Sequence, residues 1–117
     1  MHRVDSQLPL RCAVSNIVWV VQTTLPGDWV EAEVGAWSAE LVENGLAACV
    51  QRERITSVYS WDDSTQSSEE WRLEMKTSLI SKDTLIETIL SCHPYETPQI
   101  VAWEASSTPG YSDWVQG

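Results

Sequence analysis

Leu46 to Thr77 reads LAACVQRERITSVYSWDDSTQSSEEWRLEMKT, and the architecture turns on this stretch. A small apolar run, Leu46-Ala47-Ala48-Cys49-Val50, passes through the polar Gln51-Arg52-Glu53-Arg54 into Ile55, Ser57, Tyr59 and Trp61, which alternate with Thr56, Val58 and Ser60. Beyond a polar stretch from Asp62 to Ser68, Trp71, Leu73, Met75 and Thr77 alternate with Glu70, Arg72, Glu74 and Lys76. A period of two with one apolar side marks a half-buried antiparallel strand. The segment therefore predicts two long strands joined as a hairpin, the first bent at Gln51 to Arg54.

On the N-terminal side, Ile17-Val18-Trp19-Val20-Val21 is a β-branched and aromatic run that continues through Gln22-Thr23-Thr24 to the turn signal Pro26-Gly27. It reads as a central strand buried on both faces. Asp28 is the expected cap of a helix with Val30, Val34, Trp37 and Leu41 on one line, Glu31, Glu33, Glu40 and Glu43 off it, and Asn44-Gly45 as its stop. On the C-terminal side, Ser81 is the expected cap of a second helix with Leu85, Ile86, Ile89 and Leu90 facing the core, ended by Pro94. Gln99 to Trp103 makes a last strand, with Pro98 at its first position or on an edge, and Tyr111 to Val115 a short closing helix.

The order strand, helix, strand, strand, helix, strand predicts an α+β domain of ferredoxin-like, split βαβ build. Right-handed crossovers put both helices on one face of a four-stranded antiparallel sheet. The opposite face then has no helix to cover it, although tryptophan and β-branched residues lie on both strand faces, so another subunit is the expected cover. Tyr59, Trp61 and Trp71 are expected near the hairpin tip, reaching a neighbouring subunit. Residues 1 to 15 show no period and read as a loose arm; a single domain is expected over 16 to 117.

Composition narrows the function classes. A chain of 117 residues, 43% hydrophobic and 21% charged, has the make-up of one globular domain. Its net charge of -10 repels phosphate backbones, which argues against nucleic acid. Seven tryptophans with no phenylalanine suit interface cores and hint at an oligomer. The three cysteines, Cys12, Cys49 and Cys92, form no C-x-x-C pair and read as reduced thiols. The run Ile17 to Val21 falls far short of the roughly 20 apolar residues that cross a bilayer, and Leu8 to Val14 is broken by Pro9 and Arg11. The expectation is a cytoplasmic protein with no membrane partner.

Chemistry-bearing residues are few. Cys92 and His93 pair a thiol with an imidazole where Pro94 turns the chain, and both side chains are good ligands for copper or zinc. Alternatively, His93 hydrogen-bonds a strand carbonyl and orients the Pro94-Tyr95 turn. Cys49 beside Ala47 and Ala48 reads as a small buried hydrophobe. Tyr95 and Glu96, held between two prolines, are aimed at a neighbour or a cleft, and Lys76 is open to pairing with Glu96 or meeting an anion. There is no phosphate loop, no His-Glu-x-x-His and no serine elbow, so an enzyme is not expected.

Four segments in order resemble the CutA family of divalent-cation-tolerance proteins: Leu41 to Val50 (with Ala-Ala-Cys-Val), Thr56 to Trp61, Met75-Lys76-Thr77, and His93-Pro94-Tyr95-Glu96-Thr97-Pro98. The ending Tyr111-Ser112-Asp113-Trp114-Val115 is also similar. The resemblance spans roughly residues 16 to 115. It implies a ferredoxin-like subunit in a compact homotrimer, similar to PII-type signalling proteins, with copper or another divalent cation bound and metal tolerance as the role. A PII-like module taking a small ligand or protein partner at subunit clefts is the alternative. The metal residues implied are His93, Cys92, Cys49 and Thr23, the last standing where many relatives carry a cysteine; Tyr59, Trp61, Trp71, Lys76, Tyr95, Glu96 and Trp114 are the implied cleft or interface residues. Gln51 to Arg54 replaces a Pro-Gly turn common in the family after Ala-Ala-Cys-Val.

Overall fold

The computed structural model describes residues 16–117, so the arm expected over 1 to 15 lies outside the described residues. Strand β1 (Ile17–Pro26) is followed by helix α1 (Glu31–Glu43), strands β2 (Cys49–Trp61) and β3 (Ser64–Thr77), helix α2 (Leu79–Cys92), strand β4 (Ile100–Ser106) and helix α3 (Pro109–Gln116). The strands form one sheet in the order β2-β3-β1-β4. Every neighbouring pair is antiparallel. The α+β ferredoxin-like order is the expected one, with β1 inside the sheet between β3 and β4.

Register assigns the faces. Val21, Thr23 and Leu25 lie opposite Met75, Leu73 and Trp71, and these residues share the face that the helices cover. There Val34 and Leu41 of α1 and Leu85 and Ile89 of α2 close the core over Val21, Leu25, Leu73 and Met75. Each such side chain taken out of water contributes about 1.5–3 kcal/mol before the entropy of ordering it. Trp71 belongs to this core, 7% exposed, with its indole Nε1 donating to the Trp29 carbonyl at 2.9 Å. Its expected place near the hairpin tip is thereby corrected: it stands opposite Leu25, within the span of the sheet.

The other face carries Val18, Val20, Gln22 and Thr24, all buried but Gln22. The expectation that no helix covers this face is corrected in part, because α3 contacts β1 and β3. Tyr111 of α3 brings its hydroxyl to 3.5 Å from the Cys49 sulfur on this face, and Ser112 and Val115 are buried. The rest of the face, toward the hairpin, has no helix over it.

Local details also differ from the sequence reading. α1 begins after Val30, not at Asp28, and Glu33 reaches back to accept from the Val30 N–H at 3.0 Å. α2 is capped by Ser78, which accepts from the Ser81 N–H, so Ser81 is the third helical residue and not the cap. The β2–β3 ladder runs in unbroken register from Cys49 opposite Lys76 to Trp61 opposite Ser64, with no bulge at Gln51 to Arg54. The hairpin closes on two residues, Asp62 and Asp63, both with positive φ (51° and 60°), the backbone that right-twisted strands favour.

Candidate functional site

The candidate site lies at the corner where α2 ends against β1. Pro94 cannot continue a helix, and His93 leaves it in an extended conformation (φ -76°, ψ 139°). Its ring then meets three partners: Nδ1 accepts the Tyr95 N–H at 3.1 Å, while Nε2 lies 2.8 Å from the Thr24 carbonyl oxygen and 3.1 Å from Thr23 Oγ1. The Thr23 hydroxyl donates to the Gln99 carbonyl at 2.7 Å, so toward His93 it accepts. A neutral imidazole has one N–H and one lone pair. Facing an N–H, Nδ1 is the lone pair; facing a carbonyl, Nε2 carries the proton. Burial pushes the His93 pKa below its ordinary value, outweighing the Thr24 carbonyl and the Glu70 charge, which both favour the cation. Trp37 sets its ring edge-on to the imidazole, 6.4 Å between centroids.

Tyr95 carries the corner to the hairpin. Its ring lies 5.2 Å from that of His93, and its hydroxyl donates to Glu70 Oε2 at 2.8 Å. The other Glu70 oxygen accepts from Ser57 Oγ at 2.7 Å. One carboxylate therefore ties the 93–99 segment to both hairpin strands. Burial, then the Glu70 hydrogen bond and charge, push the Tyr95 hydroxyl well above the usual tyrosine range. Glu70 and Ser57 were not among the residues expected from the sequence. Both occupy polar positions of alternating strands, and only the register that sets Glu70 opposite Ile55 and Pro26 shows where they stand.

The expected metal residues separate. Thr23 and His93 meet, while Cys49 lies on the opposite face of the sheet against Tyr111, whose hydroxyl burial pushes up to about 12. Cys92 is exposed, its sulfur 3.8 Å from the Ile89 carbonyl. Partial desolvation pushes the thiol up, against its backbone hydrogen bond, and the Glu40 charge adds to the rise. A copper ion wants a thiolate and a free imidazole nitrogen. Here both ring nitrogens of His93 are engaged, and the described residues include no group of three or more His, Cys, Asp or Glu arranged to hold a metal ion. The donors of one subunit do not fit copper.

The expected interface residues fall in several places. Lys76 binds Gln51 Oε1 at 2.9 Å and Glu74 Oε2 at 3.0 Å, so of its two open roles the pairing with Glu96 is not formed. Glu96 is exposed. Tyr59 and Trp61 lie exposed on the distal hairpin, with the Tyr59 hydroxyl accepting from Ser68 Oγ at 3.3 Å. Trp114 stacks on Tyr111 and borders a separate cleft of about 320 Å³ with Val42, Thr77, Ser78 and Ser81.

Known proteins are similar to this chain in sequence and in fold. The family model of the CutA1 divalent ion tolerance protein matches residues 19–117. A divalent-cation tolerance protein CutA of Thermus thermophilus is 34% identical over 99 residues, covering 83% of this chain and 93% of its own length. A probable divalent-cation tolerance protein cutA homolog of Encephalitozoon cuniculi is 35% identical over 67% of this chain and 69% of its own. Among solved structures, CutA of Synechococcus elongatus superposes with a TM-score of 0.78 at 29% identity, covering 86% of this chain and 88% of that one. The PII-like protein CutA of Nostoc gives 0.75 at 32% identity, covering 85% and 94%. With a motif-bearing corner, a ferredoxin-like sheet and a family match over nearly all the described residues, the chain belongs to the CutA1 divalent ion tolerance protein family.

Proposed function

We propose that the protein serves the response to divalent cations as a homotrimer, without a catalytic step, and that its working clefts lie between subunits in the manner of PII-like proteins. One observation carries this reading. The sheet face away from α1 and α2 ends in exposed apolar residues at both extremes: Tyr59 (45%) and Trp61 (67%) on the hairpin, Val101 (43%) and Trp103 (40%) on edge strand β4. Two separated apolar patches on one face suit a head-to-tail contact, the hairpin of one copy lying on β4 of the next, and such contacts form a ring when the rotation between copies closes. The Tyr95–Glu70–Ser57 bridge, at the base of the projecting hairpin, then forms part of a cleft wall. A metabolite-shift thermal screen tests the cleft: stabilisation by a small ligand independent of metal supports it, and no shift across anionic and nucleotide probes counts against it.

Copper binding, which the resemblance implies, is the second reading. The one observation in its favour is the exposure of the Cys92 thiol beside His93. Copper titration of the assembled protein against its Cys92→Ser variant tests it, and equal affinities would remove it.

A further inference from the structure

We infer that His93 is a positioning residue rather than a metal ligand, fixed as the neutral Nε2–H tautomer, and that it sets the course of the 93–99 segment. The inference comes from the saturation of the ring. The lone pair that a cation would take, on Nδ1, already receives the Tyr95 N–H at 3.1 Å. The other nitrogen spends its proton on the Thr24 carbonyl, 2.8 Å away. Thr23 reinforces the arrangement: buried completely, it clamps Gln99 through its hydroxyl proton and presents a lone pair to Nε2. The two ends of the segment, His93 and Gln99, are thus fixed to adjacent residues of β1.

The consequence reaches beyond the ring. Tyr95 is two residues from His93, and the Nδ1 bond to its backbone is an Asx-like turn made by an imidazole. That turn directs the Tyr95 side chain to Glu70, whose second oxygen holds Ser57. A cation that captured Nδ1 would release the Tyr95 amide and loosen the bridge to the hairpin. A cation that captured Nε2 would displace its proton and leave the Thr24 carbonyl without its donor. Each capture breaks a bond that the folded corner already makes, and His93 is therefore committed to placing Tyr95.

Long-range proton–nitrogen NMR on protein labelled with 15N-histidine tests this in the intact assembly, with His93 assigned through the His93→Asn variant. The wild-type ring is expected to show Nε2 protonated and Nδ1 as a bare acceptor, unchanged by one equivalent of Zn(II) or, without oxygen, Cu(I). His93→Asn keeps an acceptor for the Tyr95 N–H and should melt closer to wild type than His93→Ala, with copper affinity within about twofold of wild type. An Nδ1-protonated ring, a metal-induced shift of either nitrogen, or a tenfold loss of copper affinity in a folded His93→Asn protein would overturn the inference. If His93→Ala does not fold, the tautomer and its response to metal decide alone. None of these outcomes depends on the oligomeric state.

Discussion

Thr23 holds two segments with one buried hydroxyl, donating to Gln99 and accepting from His93. Replacing it by the near-isosteric valine removes the donor to the Gln99 carbonyl, and Thr23→Val is expected to lose about 0.5–1.5 kcal/mol in urea unfolding, while Thr23→Ser loses less. His93 makes a prediction in pH. Its folded pKa lies below the ordinary value of 6.5, so the unfolded chain binds the proton more readily and stability rises with pH through this window. The contribution is complete above about pH 6.5 and is lost as pH falls through the folded pKa. Denaturant midpoints from pH 7.5 to 5 should therefore fall less in His93→Asn than in wild type; parallel curves would contradict the assignment. Much of this corner was legible in the sequence, because Pro94 must end a helix and an imidazole just before it must turn. Its partner Glu70 was not, since a glutamate at a polar strand position looks like any solvated one until the register is known.

The hairpin is the element that outgrows the sheet. β1 ends at Pro26, opposite Glu70, while β2 and β3 stay paired as far as Trp61 and Ser64, a reach of about 20 Å beyond the last three-stranded row. Gly27 turns the chain back beneath this overhang, where a Cβ would collide with the Glu69 carbonyl, so Gly27→Ala is expected to destabilise by about 1–3 kcal/mol in urea unfolding. At the tip, Asp62 and Asp63 adopt left-handed backbone; Asp63→Gly should raise stability by up to about 1 kcal/mol, and a loss would speak against the two-residue turn. Alternation revealed both strands but not this turn, because strands beyond the sheet have no core side and polar residues fill both faces. The same ambiguity moved the α2 cap by a turn: Ser78 and Ser81 are both serines, and the exposed Leu79 and Ile80 between them break the apolar period.

At the scale of the molecule, extents of 57 × 28 × 22 Å leave a projecting hairpin and a half-covered sheet. α3 shields the Val18 and Val20 end of the open face, which accounts for part of the apolar surface that the sequence reading assigned to a partner. Tyr59, Trp61, Val101 and Trp103 remain. In the proposed trimer, burying them between copies must outweigh repulsion among subunits of charge -10, at roughly 25 cal/mol per Å² of apolar area. Added salt should therefore raise the melting midpoint modestly by screening like charges, and Trp61→Asp should shift the protein toward monomer or aggregate. The most direct test is the mass in solution by light scattering across a hundredfold range of concentration. Assembly through the open face predicts three times the 13.2 kDa subunit for wild type and loss of that species for Trp61→Asp. A wild-type mass of one subunit throughout, or a Trp61→Asp protein that stays trimeric, would contradict it.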